Sequence, residues 1–324
     1  MIYPNSFEQK IGFDEVRNLV SGFCLSALGK EMVGNMTFSS DAAVINEWLN
    51  QVREFRRLQE ETDDFPLQYF FDVRESVARI RLEGTYMEES ELFDLKRSLD
   101  TIHKIVGFLA PKSDAKINYD EVDSEGQGGR ADYPSLYRLT LGIKTFPQLV
   151  IRIDGIVDRY GKIKDSASQE LSNIRRELAK SEGAVSRTLY NILRTAQSDG
   201  LVEKDVTPTI RDGRLVIPIA PGLKRKIKGI VHDESATGKT VFVEPTEVVE
   251  ANNRIRELEN EERKEIIRIL KDFAATVRPH VKDIIASYKL LAHIDFIRAK
   301  TEFAKMENGF EPNVETYPHI DWIR

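Results

Sequence analysis

At 324 residues the chain is long enough for about two domains, each able to bury a core. Its 41% hydrophobic and 31% charged residues suit a globular, helix-rich protein and exclude a disordered chain. No stretch approaches the ~20 apolar residues that span a bilayer, and the net charge of −6 excludes general attraction to polyanions, so any nucleic-acid binding has to come from a local cluster.

Residues 1–13 lack a basic start followed by an apolar run, so no export signal is expected. The single cysteine, Cys24, excludes an internal disulfide and a cysteine-based zinc site; between Phe23 and Leu25 it reads as a small buried hydrophobe. Together these features point to the cytoplasm.

In chain order, the first ~110 residues read as helices packed into one domain. Asp14 is placed to cap a helix with Val16, Leu19, Val20 and Phe23 on its apolar face. Ser26 is placed to cap the next, with Leu28, Met32, Val33 and Met36. From Asp41 a longer pattern runs through Val44, Trp48, Phe55 and Leu58 until Pro66 breaks it. Val73, Val77 and Ile80 follow, and then a strong helix carries Leu92, Leu95, Leu99, Ile102, Ile105 and Leu109. Residues 111–134, with Gly126, Gly128, Gly129 and many carboxylates, read as a mobile loop.

Ser166-Ala-Ser-Gln169 has the form of a capping box, with Ser166 as the cap. After it Ala167, Leu171, Ile174, Leu178, Ser181, Val185, Thr188 and Ile192 recur at steps of four and three, a heptad seam that should end near Ser198-Asp199-Gly200. A second seam follows Pro245-Thr246: Val248, Ala251, Ile255, Leu258, Glu262, Ile266, Ile269, Phe273 and Val277, up to Pro279. The segments 166–198 and 246–278 are equally long, each about 50 Å as a helix. That equality predicts an antiparallel pair. Between them the period changes to two: Val206 to Ile210 and Leu215 to Ile219 flank an Asp-Gly turn, and Lys226 to His232 and Thr240 to Glu244 read as two more strands. After Pro279 a helix with Val281, Ile284, Ile285, Tyr288, Leu291 and Ile294 should return to the first domain.

Asp233-Glu-Ser-Ala-Thr-Gly238-Lys239-Thr240 ends like a phosphate-binding P-loop. Asp233 replaces its first glycine, and β-like sequence rather than a helix follows, so strand–turn–strand is the better reading. The five histidines show no metal-ligand spacing, and no nucleophile or dinucleotide motif stands out; no catalytic, cofactor-binding or metal residue is assigned. Residues 204–240 carry eight cationic and four acidic groups, a local +4, densest at Lys224-Arg225-Lys226-Ile-Lys228. Such a cluster neutralises phosphates without reading sequence. It equally suits an edge strand guarded against aggregation by lysines. The alternating Glu and Arg residues from Arg256 to Glu265 read as a solvated helix face with i,i+4 pairs.

At the tip the sequence resembles the second MutS family. The resemblance rests on Thr209-Ile-Arg-Asp-Gly-Arg-Leu-Val-Ile-Pro218, Gly229-Ile-Val-His-Asp-Glu-Ser-Ala-Thr-Gly238, Thr240-Val-Phe-Val-Glu-Pro245 and Val248-Val-Glu-Ala-Asn-Asn-Arg-Ile-Arg-Glu-Leu258. Ser26-Ala-Leu-Gly-Lys30 and Gly161-Lys-Ile-Lys-Asp-Ser-Ala-Ser168 agree with it. The resemblance implies a DNA-handling ATPase built from a helical core, lever helices, a clamp and an ATPase domain, often followed by a small Smr nuclease domain. It further implies suppression of recombination through branched DNA, action on stalled ribosomes, ATP and Mg as cofactors of the full-length parent, and dimerisation through the ATPase domains.

The expected fold is mainly α: a helical core with an inserted antiparallel two-helix lever arm carrying a small β-rich clamp tip. Residues 1–164 form the first part of the core, 165–200 a lever helix, 201–245 the tip, 246–278 the returning lever, 279–310 the returning core and 311–324 the start of a missing ATPase domain. The chain is expected to be a non-catalytic N-terminal piece without a cofactor of its own. Lys224, Arg225, Lys226 and Lys228 would contact duplex or branched DNA, or ribosomal RNA, supported by Arg211, Arg214 and Lys239. No membrane partner is expected. The alternative is a structural arm that docks on a protein partner or on its own dimer mate.

Overall fold

A computed structural model of the protein describes residues 6–67, 70–111, 131–200 and 202–317. Most of the expected loop at 111–134 therefore lies outside the described residues, as do residues 318–324. Along the chain run α1 (Phe7–Lys10), α2 (Phe13–Phe23), α3 (Ala27–Gly34), α4 (Ala42–Glu61), α5 (Arg74–Arg79), α6 (Glu89–Leu109), α7 (Pro134–Arg138), α8 (Pro147–Ile156) and α9 (Gln169–Ser198). Four strands follow, β1 (Thr209–Arg211), β2 (Arg214–Ile219), β3 (Gly229–Glu234) and β4 (Val241–Pro245), and then α10 (Thr246–Val277) and α11 (Val281–Met306). The protein is mostly helical with one small antiparallel sheet, and it divides into two compact units, residues 1–162 with 273–324 and residues 163–272. Among the described residues no helix is long and apolar enough to cross a membrane.

In the first unit, α11 is buried on most of its circumference, including Ile284, Tyr288, Leu291 and Ile294, and packs against α2, α3 and α4. Ser26 caps α3 as expected, and Asp41, where the next apolar pattern begins, caps α4. Ser26 Oγ accepts from Gly29 N at 3.2 Å, and Asp41 Oδ1 accepts from Ala43 N at 2.8 Å. Asp14 instead sits inside the first turn of α2, whose N-cap is Gly12 at φ +71°; there the carboxylate faces the positive end of the helix dipole. Buried Asp295 of α11 accepts from Leu25 N, Ser26 N and Ser26 Oγ at 2.9, 3.0 and 2.7 Å, which fixes the start of α3. Cys24 beside it is buried, and burial pushes its thiol up to about 11. The apolar row of α6 is buried and packs on Leu149, Ile153 and Ile156 of α8. Both α7 and α8 were absent from the sequence reading; each opens on a proline, which is tolerated in the first turn. Leu19, Val44 and Trp48, assigned to apolar faces, remain 45%, 38% and 39% exposed.

In the second unit, hydrogen bonds order α9 against α10. Ser168 reaches Glu265, Arg175 reaches Glu262 and Arg254 reaches Glu177, so the partners run in opposite directions and the helices are antiparallel. They span 30 and 32 residues. The start of α9 differs from expectation. Ser166 lies in a 3-10 turn, and Ser168 is the cap, accepting from Leu171 N at 3.0 Å while donating to Glu265 Oε1 at 2.6 Å. The Ser-x-Ser sequence offers two registers, and the bond to Glu265 holds the later one.

The heptad seam also changes in its second half. After Val185 the buried positions of α9 are Leu189, Leu193 and Ala196, not Thr188 and Ile192. This half packs on the sheet as well as on α10, so it needs a broad apolar face rather than a narrow seam. Leu189 and Leu193 meet Ile217, Ile219, Val241 and Val243 of the sheet and Val248 and Ile255 of α10 in one core. The sheet has the order β1-β2-β4-β3 with every pair antiparallel. β1 is shorter than predicted, starting at Thr209. Arg211 pairs with Arg214 across Asp212-Gly213, whose φ values of 49° and 70° make a two-residue turn of the primed type. The P-loop-like segment is the turn between β3 and β4, closed by Ser235 N to Thr240 O at 2.8 Å.

Candidate nucleic-acid interface

The basic run lies in the loop between β2 and β3. A 3-10 turn at Pro221–Leu223 leads into it, and Leu223 and Ile227 turn inward onto the core shared by α9 and the sheet. Backbone bonds from Lys226 N to Leu223 O at 2.9 Å and from Thr246 N to Lys228 O at 3.1 Å hold both ends. With its apolar residues anchored, the loop sends Lys224, Arg225, Lys226 and Lys228 outward; all four are exposed, and none makes an ion pair with another described residue. Their charges are therefore not neutralised locally. Lys239, in the turn before β4, is exposed as well.

Arg211 and Arg214 differ from these. Alternation along the strands sends Ile217, Ile219, Val241 and Val243 to the core, so Arg214, Phe242 and Glu244 share the opposite face. There Arg211 stacks over the Phe242 ring at 4.1 Å and lies 3.6 Å from Asp233, half exposed. Arg214 is only 14% exposed. Its guanidinium donates to Glu244 at 2.8 and 3.1 Å and to Asn253 at 2.7 Å, so its charge is taken up inside the sheet and it does not join the outward set.

Glu244 is a residue that the sequence reading missed as anything but strand. Its side chain is fully buried and meets Arg214, His232 Nε2 at 2.6 Å and Asn252 Nδ2 at 2.7 Å. Burial pushes its carboxyl up, but the hydrogen bonds from Asn252, His232 and Arg214 outweigh it and hold the group below its ordinary value. Gly229 makes this packing possible, because a Cβ there would stand 2.1 Å from the Glu244 carbonyl oxygen. The signal was present as a glutamate in an otherwise apolar strand, Val241-Phe-Val-Glu-Pro245, next to a predicted core. Among the described residues no group of three or more His, Cys, Asp or Glu side chains is placed to hold a metal ion. Chemically, the site is an antiparallel sheet with one outward cationic loop.

No family profile matches the chain. Individual proteins do. It is 30% identical over 95% of its length to an Endonuclease MutS2 of Latilactobacillus sakei and 31% identical over 93% to one of Lacticaseibacillus paracasei. It is 30% identical over 93% to an Endonuclease MutS2 of a Geobacillus species. The matched parts cover 37%, 36% and 36% of those proteins, so the chain spans little more than a third of the length of these relatives.

Proposed function

We propose that this chain, which is a relative of the second MutS family, supplies a nucleic-acid grip to a MutS2-type protein. In this reading α9 and α10 are the lever helices, the sheet and its loops are the clamp, and the 224–228 loop binds phosphates. One observation carries it: four outward cations on an anchored loop, with no ion pair to another described residue, in a chain that is acidic overall. Lys239 lies in the same unit and adds to the set, and Arg211 contributes through its stacked, half-exposed guanidinium. The relatives' name, an endonuclease, supports an enzymatic parent that works on nucleic acid. This chain contributes binding and no catalysis. ATP and Mg act elsewhere in the parent, where nucleotide binding closes two such clamps of a homodimer around branched DNA or a ribosomal surface.

Fluorescence anisotropy against linear duplex, four-way-junction DNA and structured RNA tests the reading. Binding that weakens with salt and is lost on replacing the four cluster residues is the expected result; a preference among the three ligands selects DNA or RNA. The exposed Ile210 and Ile230, on the two edge strands, favour the second reading, a protein-docking arm. Concentration-dependent self-association without nucleic-acid binding would select it.

A further inference from the structure

A cavity of about 320 Å³ opens in the first unit between α2, α4, α11 and the segment 32–38. Its wall is largely apolar and aromatic: Phe13, Phe38, Trp48, Phe296, Met32 and Met36. The Phe13 and Phe38 rings lie 5.4 Å apart, tilted by 42°. Arg17 forms part of the wall, and its charge is already committed. It donates to Glu8 at 2.9 and 2.8 Å and to the carbonyls of Val33 and Met36 at 2.7 and 2.8 Å.

Lys300 has no such partner. It follows His293, Phe296 and Ile297 on the cavity face of α11, and its ammonium lies 4.5 Å from the centre of the Phe296 ring. Among the described residues no carboxylate pairs with it and no hydrogen bond holds it. Lys300 is half-buried, so its ammonium is partly desolvated against the apolar wall, and a single aromatic face offsets only part of that cost. A half-open apolar chamber lined by one ammonium that no described carboxylate neutralises has the composition of a ligand site for a small amphipathic anion.

We propose that this cavity binds a small hydrophobic carboxylate, with the acid group on Lys300 and the apolar body among Phe13, Trp48 and Phe296. The site lies in the helical unit and is independent of the basic loop, so the proposal does not rest on the nucleic-acid reading. The lining explains the preference: four aromatic side chains and two methionines take an apolar body. The other ionisable groups facing the chamber are Arg17 from α2, neutralised by Glu8, and His293 from α11, which is bonded to the Lys289 carbonyl at 2.7 Å. α4 and the 32–38 segment contribute none to the lining. Burial lowers the Lys300 ammonium to about 8. A carboxylate selects its protonated form, so affinity should hold below that pH and fall as pH rises through it.

The test uses the whole chain and two probes, 4-phenylbutyrate and its neutral amide, in calorimetric titrations at neutral pH. The carboxylate is expected to bind roughly ten- to hundred-fold tighter than the amide, the ratio set by one charge-assisted hydrogen bond. Lys300→Met should abolish that ratio without lowering the melting temperature, because it removes a half-buried charge that pairs with no described carboxylate and keeps the apolar stem. In a Trp322→Phe background the remaining Trp48 should change its emission on binding, which locates the probe. Equal binding of acid and amide, a preference that survives Lys300→Met, or no binding of either at millimolar concentration would overturn the proposal.

Discussion

Glu244 and Asp295 are the two buried carboxylates whose surroundings explain the most sequence. Glu244 holds together β2, β3 and α10 by bonding Arg214, His232 and Asn252. Its folded-state carboxyl titrates below the unfolded value, so between the two the unfolded chain binds more protons and stability rises with pH. The contribution is complete above roughly pH 4.3 and is lost as pH falls through the folded value. Glu244→Gln should therefore cost about 2 kcal/mol or more at neutral pH, where a buried Arg214 is left without its counter-ion. Urea titrations across the acid range should show the two proteins converging. A constant difference down to pH 3 would contradict this. Asp295 explains Gly29, since a Cβ there would lie 2.4 Å from Asp295 Oδ2. Gly29→Ala should lower stability by about 1–3 kcal/mol, whereas Gly34→Ala, with nothing within 4 Å of the added carbon, should not show an overpacking cost. The cap at Ser26 was legible because a cap acts over three residues. The Glu244 network was not, because its members meet diagonally across strands and from a helix, up to thirty residues from Glu244.

At the scale of elements, periodicity found the long helices and the hairpins, and its errors have local causes. α9 starts two residues later than the capping box suggested because Ser168 has a second partner in Glu265, a contact invisible along the chain. Its seam widens past Val185 because a sheet, not only a helix, lies against it. α7 and α8 were missed because each is short and opens on a proline. β3 depends on close approach to β4 at Gly229. Gly229→Ala would put a methyl 2.1 Å from a backbone oxygen and should force the two strands apart, costing at least the about 1–3 kcal/mol of an overpacked core. Hydrogen exchange should show amides of β3 and β4 losing protection while those of α6 and α11 keep theirs. Equal protection in the variant would show that the strands absorb the methyl.

For the whole molecule, the acidic total hides the feature on which the account depends. Composition excluded a polyanion binder in general and left one local exception, and the structure puts that exception on an anchored loop with its cations outward. The charge cluster was legible from the sequence; the withdrawal of Arg214 from it was not, because only strand alternation plus the position of Glu244 reveals the pairing. Kinship with the MutS2 endonucleases was legible from the tip motifs, and relatives near 30% identity bear it out. The central claim is that the 224–228 loop neutralises nucleic-acid phosphates. It is tested most directly by the salt dependence of duplex DNA binding by the chain and by its Lys224→Ala, Arg225→Ala, Lys226→Ala, Lys228→Ala variant. If all four residues contact phosphates, the slope of log affinity against log salt should flatten by about 3.6 in the variant. An unchanged slope would contradict the account.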